Sequence, residues 1–201
     1  MALSNRKPWG NEYCLYQNKD LAIWKLTINP GQCTSLHSHP QKKTNLLVLD
    51  GAAEVSFLSG LHRLFPGEKI QIFAGSFHRT TNKLSTKLEL LEIEAPNIKS
   101  DLVRIKDDYG RPKYYTDEEK IEIEESFTLG ETTQKIGSCF LQIVDVGEIR
   151  EGYYCFLSGG IFHEETPIVK VGDVISKDNL ERLMLSFRLD PSKAINIRAL
   201  A

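Results

Sequence analysis

The chain has 201 residues, 41% of them apolar, and its 25 lysines and arginines nearly balance its 27 aspartates and glutamates. This near balance argues against a nucleic-acid-binding protein, which would carry a basic surplus on one face. The apolar content predicts a folded domain, and the apolar runs are too short for a membrane-spanning helix.

The N-terminal segment and the cysteines predict a cytoplasmic protein. The first residues contain no apolar stretch long enough for a secretory signal. The four cysteines, Cys14, Cys33, Cys139 and Cys155, lie far apart and lack C-x-x-C spacing. This pattern is typical of reduced thiols and not of a disulfide framework.

Residues 21–94 predict an all-β region. Short apolar runs alternate with turn signals such as Asn29-Pro30-Gly31, Asp50-Gly51 and Pro66-Gly67. Strands separated by turns at intervals of about eight to twelve residues indicate a β-sandwich or barrel. The pattern changes after Gly110-Arg111-Pro112, so this all-β part is predicted to span residues 1–111.

Residues 112–201 predict a small α+β appendage to which the sequence assigns no role. Thr116–Glu119 has the form of a capping box and predicts a short acidic helix towards Phe127. A second helix is expected after Ser176 or Asp178. Strand-like runs occupy residues 139–146, 153–161, 167–171 and 194–200.

Three of the five histidines occur at suggestive intervals. His37 and His39 are separated by one residue, so on a strand their side chains point to the same face. His78 follows in a second segment that begins at Gly67, and Asn82 lies four residues beyond it. Inside a small barrel this places the imidazoles of His37 and His39 side by side, which suits one metal ion.

These two segments resemble the two signature motifs of the cupin superfamily. A narrower similarity, over roughly residues 7–111, is carried by Lys7-Pro-Trp-Gly10 and by the string from Asp101 to Arg111. Both stretches are similar to the C-terminal cupin domain of type II mannose-6-phosphate isomerase/mannose-1-phosphate guanylyltransferases. The resemblance implies a mainly β fold, a cupin double-stranded β-helix or jelly-roll barrel. The guanylyltransferase half has no counterpart in the chain.

The resemblance implies one divalent metal ion held by His37, His39 and His78. Cupins usually offer a glutamate where this sequence has Thr44, and a threonine hydroxyl is a poor ligand because it stays protonated near neutral pH. Three imidazoles would leave the metal its full charge. Zn, Fe, Mn and Ni all remain possible, because this ligand set does not fix the metal.

Isomerase chemistry would also require a proton-transfer group and phosphate contacts. The expected bases are Glu94 and Lys42, and the expected phosphate contacts are Arg79 and Lys43. The leading hypothesis is a metal-dependent isomerase or epimerase acting on a phosphorylated or nucleotide-linked sugar, in surface-polysaccharide synthesis. A homodimer is the default expectation for such a cupin, with neither nucleic acid nor membrane as a partner.

Two alternatives stay open. A three-histidine site is also what Fe(II) dioxygenases of the cupin class use, which allows oxygen chemistry on a small thiol or diketone. A sugar-binding or regulatory cupin without turnover is the other alternative, with Thr44 marking the loss of the metal.

Overall fold

The computed structural model describes residues 2–115, 120–123 and 129–200, and within them the chain forms twenty β-strands and one α-helix. The strands are β1 Ala2–Lys7, β2 Gly10–Gln17, β3 Ala22–Ile28, β4 Leu36–Ser38, β5 Lys43–Asp50, β6 Ala53–Phe57, β7 Leu61–Leu64, β8 Lys69–Ile72, β9 His78–Thr81, β10 Leu88–Ala95, β11 Val103–Lys106, β12 Lys120–Ile123, β13 Gln134–Ile136, β14 Cys139–Asp145, β15 Tyr153–Phe156, β16 Ile161–His163, β17 Thr166–Val169, β18 Val174–Ser176, β19 Arg188–Leu189 and β20 Lys193–Ala199; helix α1 spans Lys177–Met184. Among the described residues, no helix has the length and apolar composition needed to cross a membrane.

Two compact units make up the chain, Met1–Thr128 and Leu129–Ala201. This division falls later than the boundary predicted after residue 111, because β12 pairs with β1 and so extends the first unit. The capping box predicted over Thr116–Glu119 lies outside the described residues. The helix predicted to continue from it is corrected over Lys120–Ile123, which is a strand.

The first unit is a cupin β-barrel, as predicted. Its strands form a seven-stranded sheet, β12-β1-β2-β3-β10-β5-β8, and a five-stranded sheet, β11-β4-β9-β6-β7. The pairings between these strands are antiparallel, and most neighbours are distant in sequence. Such crossovers are typical of a double-stranded β-helix and cannot be formed by a simple series of hairpins.

One set of alternating side chains fills the interior of this barrel. Leu88 and Leu90 of β10 pack with Leu46 and Val48 of β5, and all four are at most 1% exposed. Because side chains alternate along a strand, Glu92 and Glu94 further along β10 face the same way as the two leucines. The inner face of β10 therefore changes from apolar to acidic.

The second unit has the α+β composition expected for the appendage. It contains a five-stranded sheet, β13-β14-β20-β15-β18, a three-stranded sheet, β17-β16-β19, and helix α1. Ser176 caps the helix by accepting a hydrogen bond from the Asn179 amide, and Leu180 anchors it in the core. The run predicted as one strand over residues 153–161 is instead two strands separated by residues 157–160, where Gly159 has a φ of 68° that departs from an extended backbone.

Candidate functional site

Three buried histidines meet at the centre of the smaller barrel sheet. His37 lies on β4 directly opposite His78 of β9, and His39 follows β4 by one residue. The ring centroids are 4.4 Å apart for His37 and His78, 5.0 Å for His37 and His39, and 5.6 Å for His39 and His78. One ring nitrogen from each lies within 4.8 Å of the others. The structure brings together the three residues that the sequence singled out.

Backbone carbonyls fix the orientation of all three rings. Each Nδ1 donates a hydrogen bond to a carbonyl oxygen: His37 to Ser35 at 2.8 Å, His39 to Asp101 at 2.6 Å and His78 to Ser76 at 3.1 Å. A carbonyl can only accept, so Nδ1 carries the proton and Nε2 keeps its lone pair. Among the described residues, the buried Nε2 atoms of His39 and His78 have no hydrogen-bond partner. Such an outer hydrogen bond with a vacant inner nitrogen fits a metal ligand set.

The electrostatics also suit metal binding. Burial lowers the pKa of each imidazole. The pKa of His37 is lowered further by the neighbouring His78 and His39, and the pKa of His39 is lowered further by Lys42. The pKa of His78 falls to about 4, through burial and then the neighbouring His39. The rings are therefore neutral at pH 7, the form that coordinates a metal.

A buried ion pair stands beside the histidines. Glu94 Oε1 lies 3.9 Å from His39 Nε2 and accepts a hydrogen bond from Lys42 Nζ at 2.5 Å. Burial alone would raise the pKa of Glu94, but Lys42 and then His39 lower it below its usual range. The two predicted proton-transfer residues are thus in contact with each other, and Glu94 is ionised at neutral pH.

Glu92 is a second inward carboxyl with the opposite electrostatic behaviour. Burial and the neighbouring Glu94 raise the pKa of Glu92 to about 8, so it is largely protonated near neutral pH. Its carboxyl oxygen, a Glu94 oxygen and a His39 nitrogen all lie within 4.8 Å of one another. One face of β10 therefore offers both a charged carboxylate and a neutral carboxylic acid to the site.

Thr44 and Glu94 are direct neighbours across two strands. The pairing of β5 with β10 sets Thr44 opposite Glu94, and Thr44 has the same strand parity as inward-facing Leu46. The Thr44 hydroxyl is buried without a hydrogen-bond partner among the described residues. A carboxylate is missing at position 44, but one is present on the adjacent strand.

His37, His39, Glu92 and Glu94 line a cavity of about 500 Å³, measured out to its open mouth. Polar residues that the sequence analysis did not assign to the site also line it: Lys7, Glu12, Lys99, Arg104, Arg111 and Tyr115. Lys7 and Arg111 belong to the two sequence strings that carry the family resemblance, and that membership could have marked them as site residues. Glu12 and Lys99 have no local pattern that marks them.

The two predicted phosphate contacts lie elsewhere in the first unit. Arg79 donates to both carboxylate oxygens of Asp108, at 3.0 and 3.2 Å. Lys43 is half-buried on β5. Neither residue is among those that line the cavity.

The glycine of the first motif string has a clear structural reason. Gly10 has a φ of 151°, and a Cβ there would lie 1.9 Å from the Thr27 carbonyl oxygen. Only glycine allows β2 to approach β3 this closely. The preceding Trp9 is 4% exposed and forms part of the cavity wall.

Comparisons with known proteins show which sequences this chain resembles. A family model described as "Mannose-6-phosphate isomerase C-terminal" matches residues 3–107. Xanthan biosynthesis protein XanB of Xanthomonas campestris is 29% identical over 107 residues, which are 52% of this chain and 23% of that protein. A mannose-1-phosphate guanylyltransferase of Sinorhizobium fredii is 28% identical over 104 residues, 51% of this chain and 20% of that protein. The chain therefore spans less than a quarter of these relatives.

Solved structures give further matches, each to about half of the chain. KdgF from Halomonas sp. is 18% identical with a TM-score of 0.46, covering 49% of this chain and 90% of that one. A sugar phosphate isomerase of the cupin superfamily from Silicibacter pomeroyi is 19% identical with a TM-score of 0.44, covering 49% and 66%. The family model alone covers just over half of the 201 residues. This chain belongs to the mannose-6-phosphate isomerase C-terminal family.

Proposed function

We propose that the first unit is a metal-dependent isomerase or epimerase acting on a phosphorylated or nucleotide-linked sugar in polysaccharide synthesis. The observation that carries the proposal is the convergence of three neutral, pre-oriented imidazoles beside the Lys42–Glu94 pair, at the wall of a cavity. The names of the relatives, which concern xanthan synthesis and mannose 1-phosphate, support the choice of a sugar substrate. A cytoplasmic homodimer is part of the same proposal.

His37, His39 and His78 would hold one divalent metal ion, of Zn, Fe, Mn or Ni. Bound there, the metal would supply a Lewis acid that polarises the carbonyl or hydroxyl oxygens of the open-chain sugar. The remaining chemistry belongs to the chain. The Nδ1 hydrogen bonds to the backbone keep the imidazoles from rotating, so the ligand geometry would be formed before the substrate arrives.

Glu94 is the proposed base. It is buried yet ionised, and it lies next to His39, where it could accept a proton from a carbon of the sugar. Lys42 is 1% exposed, and its ammonium would keep the carboxylate charged and fix its direction. Glu94 would accept the proton from one carbon and return it to the neighbouring carbon. Phosphate contact by Arg79 and Lys43 remains a prediction.

Proton exchange at C2 of mannose 6-phosphate tests the proposal. The metal-loaded protein is incubated with the sugar in D₂O, and deuterium at C2 is followed by NMR together with any isomerised product. We expect exchange that requires both metal and Glu94. A fully metal-loaded protein that catalyses neither exchange nor isomerisation would exclude this sugar as a substrate.

A three-histidine Fe(II) dioxygenase is the second candidate. The specific observation in its favour is that the three convergent ligands are all imidazoles, with Thr44 where cupins usually offer a glutamate. Oxygen consumption by the iron-loaded protein with small thiols and diketones tests it. A non-catalytic, sugar-binding cupin would show no turnover in either assay, although it would still bind the sugar in a calorimetric titration.

A further inference from the structure

We propose that Lys7 and Lys99 form a subsite for a phosphate monoester dianion in the cavity of the first unit, with Glu12 as a built-in competitor for it. The inference deepens the proposed function, on which it relies for the identity of the anion as the phosphate of a sugar substrate. It concerns residues different from the Arg79 and Lys43 contacts predicted from the sequence.

The two lysines meet at one buried oxygen. Lys7 Nζ lies 3.2 Å from Glu12 Oε1, and Lys99 Nζ contacts the same oxygen more closely. The Lys7 and Glu12 side chains are only 8% and 5% exposed, whereas Lys99 is 31% exposed. The Asn5 side-chain amide also donates a hydrogen bond to this Glu12 oxygen, at 2.9 Å, so three donors converge on one carboxylate oxygen. The shared oxygen holds the two lysine nitrogens close enough to contact one small anion.

The cavity wall as a whole carries more cations than anions. Its cationic side chains are Lys7, Lys42, Lys99, Arg104 and Arg111, and its carboxyl groups are Glu12, Glu92 and Glu94. Glu94 is engaged with Lys42, and the guanidinium of Arg111 donates to Asp107. Lys7, Lys99 and Arg104 are the other cationic groups on this wall, which they share with His37 and His39.

Lys99 is held in place by more than its ion pair. Its Nζ lies 3.8 Å from the centre of the Trp24 ring, a cation–π contact. Trp24 pairs with Glu92 across β3 and β10, so Lys99 lies near the acidic end of the barrel interior. A sugar with one end at the histidines and a phosphate at the other would span part of this cavity.

The chemistry favours phosphate over a carboxylate ligand. Two ammonium groups are compact, strongly hydrated point charges, and a doubly charged phosphate offers several oxygens to them at once. Glu12 opposes that anion by repulsion, so it would weaken binding while keeping the two lysines in place when the cavity is empty of ligand. Removing its charge should have the opposite effect to removing a lysine.

The test measures calorimetric dissociation constants of the metal-loaded protein for mannose 6-phosphate and for inorganic phosphate. We expect Lys7→Met and Lys99→Met each to weaken binding of both probes by about tenfold, with Met keeping most of the apolar stem. Glu12→Gln should tighten binding of both. Lys25→Met is the matched control, because Lys25 forms an ion pair with Glu89 at 2.8 Å and does not line the cavity.

These dissociation constants support or overturn the proposed phosphate subsite. Unchanged affinity in both lysine variants, or weaker binding in Glu12→Gln, would overturn the inference; so would a loss confined to Lys43→Met and Arg79→Met. Thermal unfolding of every variant identifies one that has failed to fold, and the Glu12→Gln measurement then decides. If the lysines govern phosphate affinity but C2 exchange is absent, the proposed isomerase fails while the anion subsite stands.

Discussion

The two halves of strand β10 fill the same barrel with opposite chemistry. Leu88 and Leu90 belong to the apolar core, whereas Glu92 and Glu94 face the cavity beside the histidines. The four side chains alternate along one strand and point to one side of it. The contrast therefore comes from residue choice along a shared face and not from a change of fold.

The two halves of β10 let a small barrel combine a stable apolar interior with a polar site. Polar groups in an interior cost free energy unless they have partners. Here Glu94 has Lys42, and the imidazoles have backbone carbonyls on one side only. The groups left without partners are the ones a ligand would engage. We therefore expect stability to depend on the apolar half and chemistry on the polar half.

Removing the charge of Glu94 should have the largest effect on the polar half. Glu94→Gln keeps the shape but cannot accept a proton, so we expect C2 exchange to fall by about 10²- to 10⁴-fold. Metal content should be unchanged. The matched control is Glu89→Gln, at the outward-facing end of β10. Loss of metal in Glu94→Gln would instead identify Glu94 as a ligand.

A change in the apolar half should act on stability alone. Leu90 is fully buried, so Leu90→Ala should lower the free energy of unfolding by about 2–5 kcal/mol in urea titrations. Metal affinity per folded molecule should stay the same. If Leu90→Ala weakened metal binding as strongly as it weakened the fold, the two halves would not be separable.

The buried histidines should make the metal-free protein sensitive to acid. Their pKa values are lowered by folding, so below about pH 6.5 the unfolded chain binds protons that the folded chain does not. The free energy of unfolding should therefore fall with decreasing pH, and His78 alone, with a pKa of about 4, accounts for a loss of about 2 kcal/mol by pH 5.

Urea unfolding between pH 7 and 5 measures this loss of stability. Glu92→Gln is the background of choice, because the raised pKa of Glu92 acts in the opposite direction. A flat profile would contradict the neutral, buried state of the rings.

Thr44→Glu should have the smallest effect, and it tests whether position 44 belongs to the polar half of the barrel interior. A carboxylate there would face the histidine site, so we expect metal affinity to increase by about tenfold. The same change sets two carboxylates opposite each other across β5 and β10, so the metal-free variant should be less stable than wild type. Thr27→Glu on the outward face of β3 controls for added charge. Unchanged affinity would show that position 44 does not reach the metal.

Much of the barrel and the centre of the site could be predicted from sequence. Alternation and turn residues identified the strands, and the resemblance to the two cupin motifs predicted the convergence of His37, His39 and His78. The Lys42–Glu94 contact could not be seen in the same way, because it joins residues 52 positions apart. The pairing of Thr44 with Glu94 likewise depends on strand register, which no local pattern encodes.

The remaining cavity residues show the same limit. Glu12 and Lys99 are separated by 87 positions and become neighbours only when the sheet closes. Arg79 was expected to contact phosphate, but Asp108 occupies its guanidinium. Charge and proximity to a motif suggested that role, and only the fold reveals a competing partner.

The metal content of the purified protein is the most direct test that His37, His39 and His78 bind a metal ion. Elemental analysis of wild type and of the double variant His37→Ala, His39→Ala gives the number of divalent ions per chain. We expect one ion per chain in wild type and none in the double variant, with both proteins folded. A folded wild-type protein that neither carries a divalent ion nor binds one at micromolar concentration would contradict it, as would equal occupancy in the double variant.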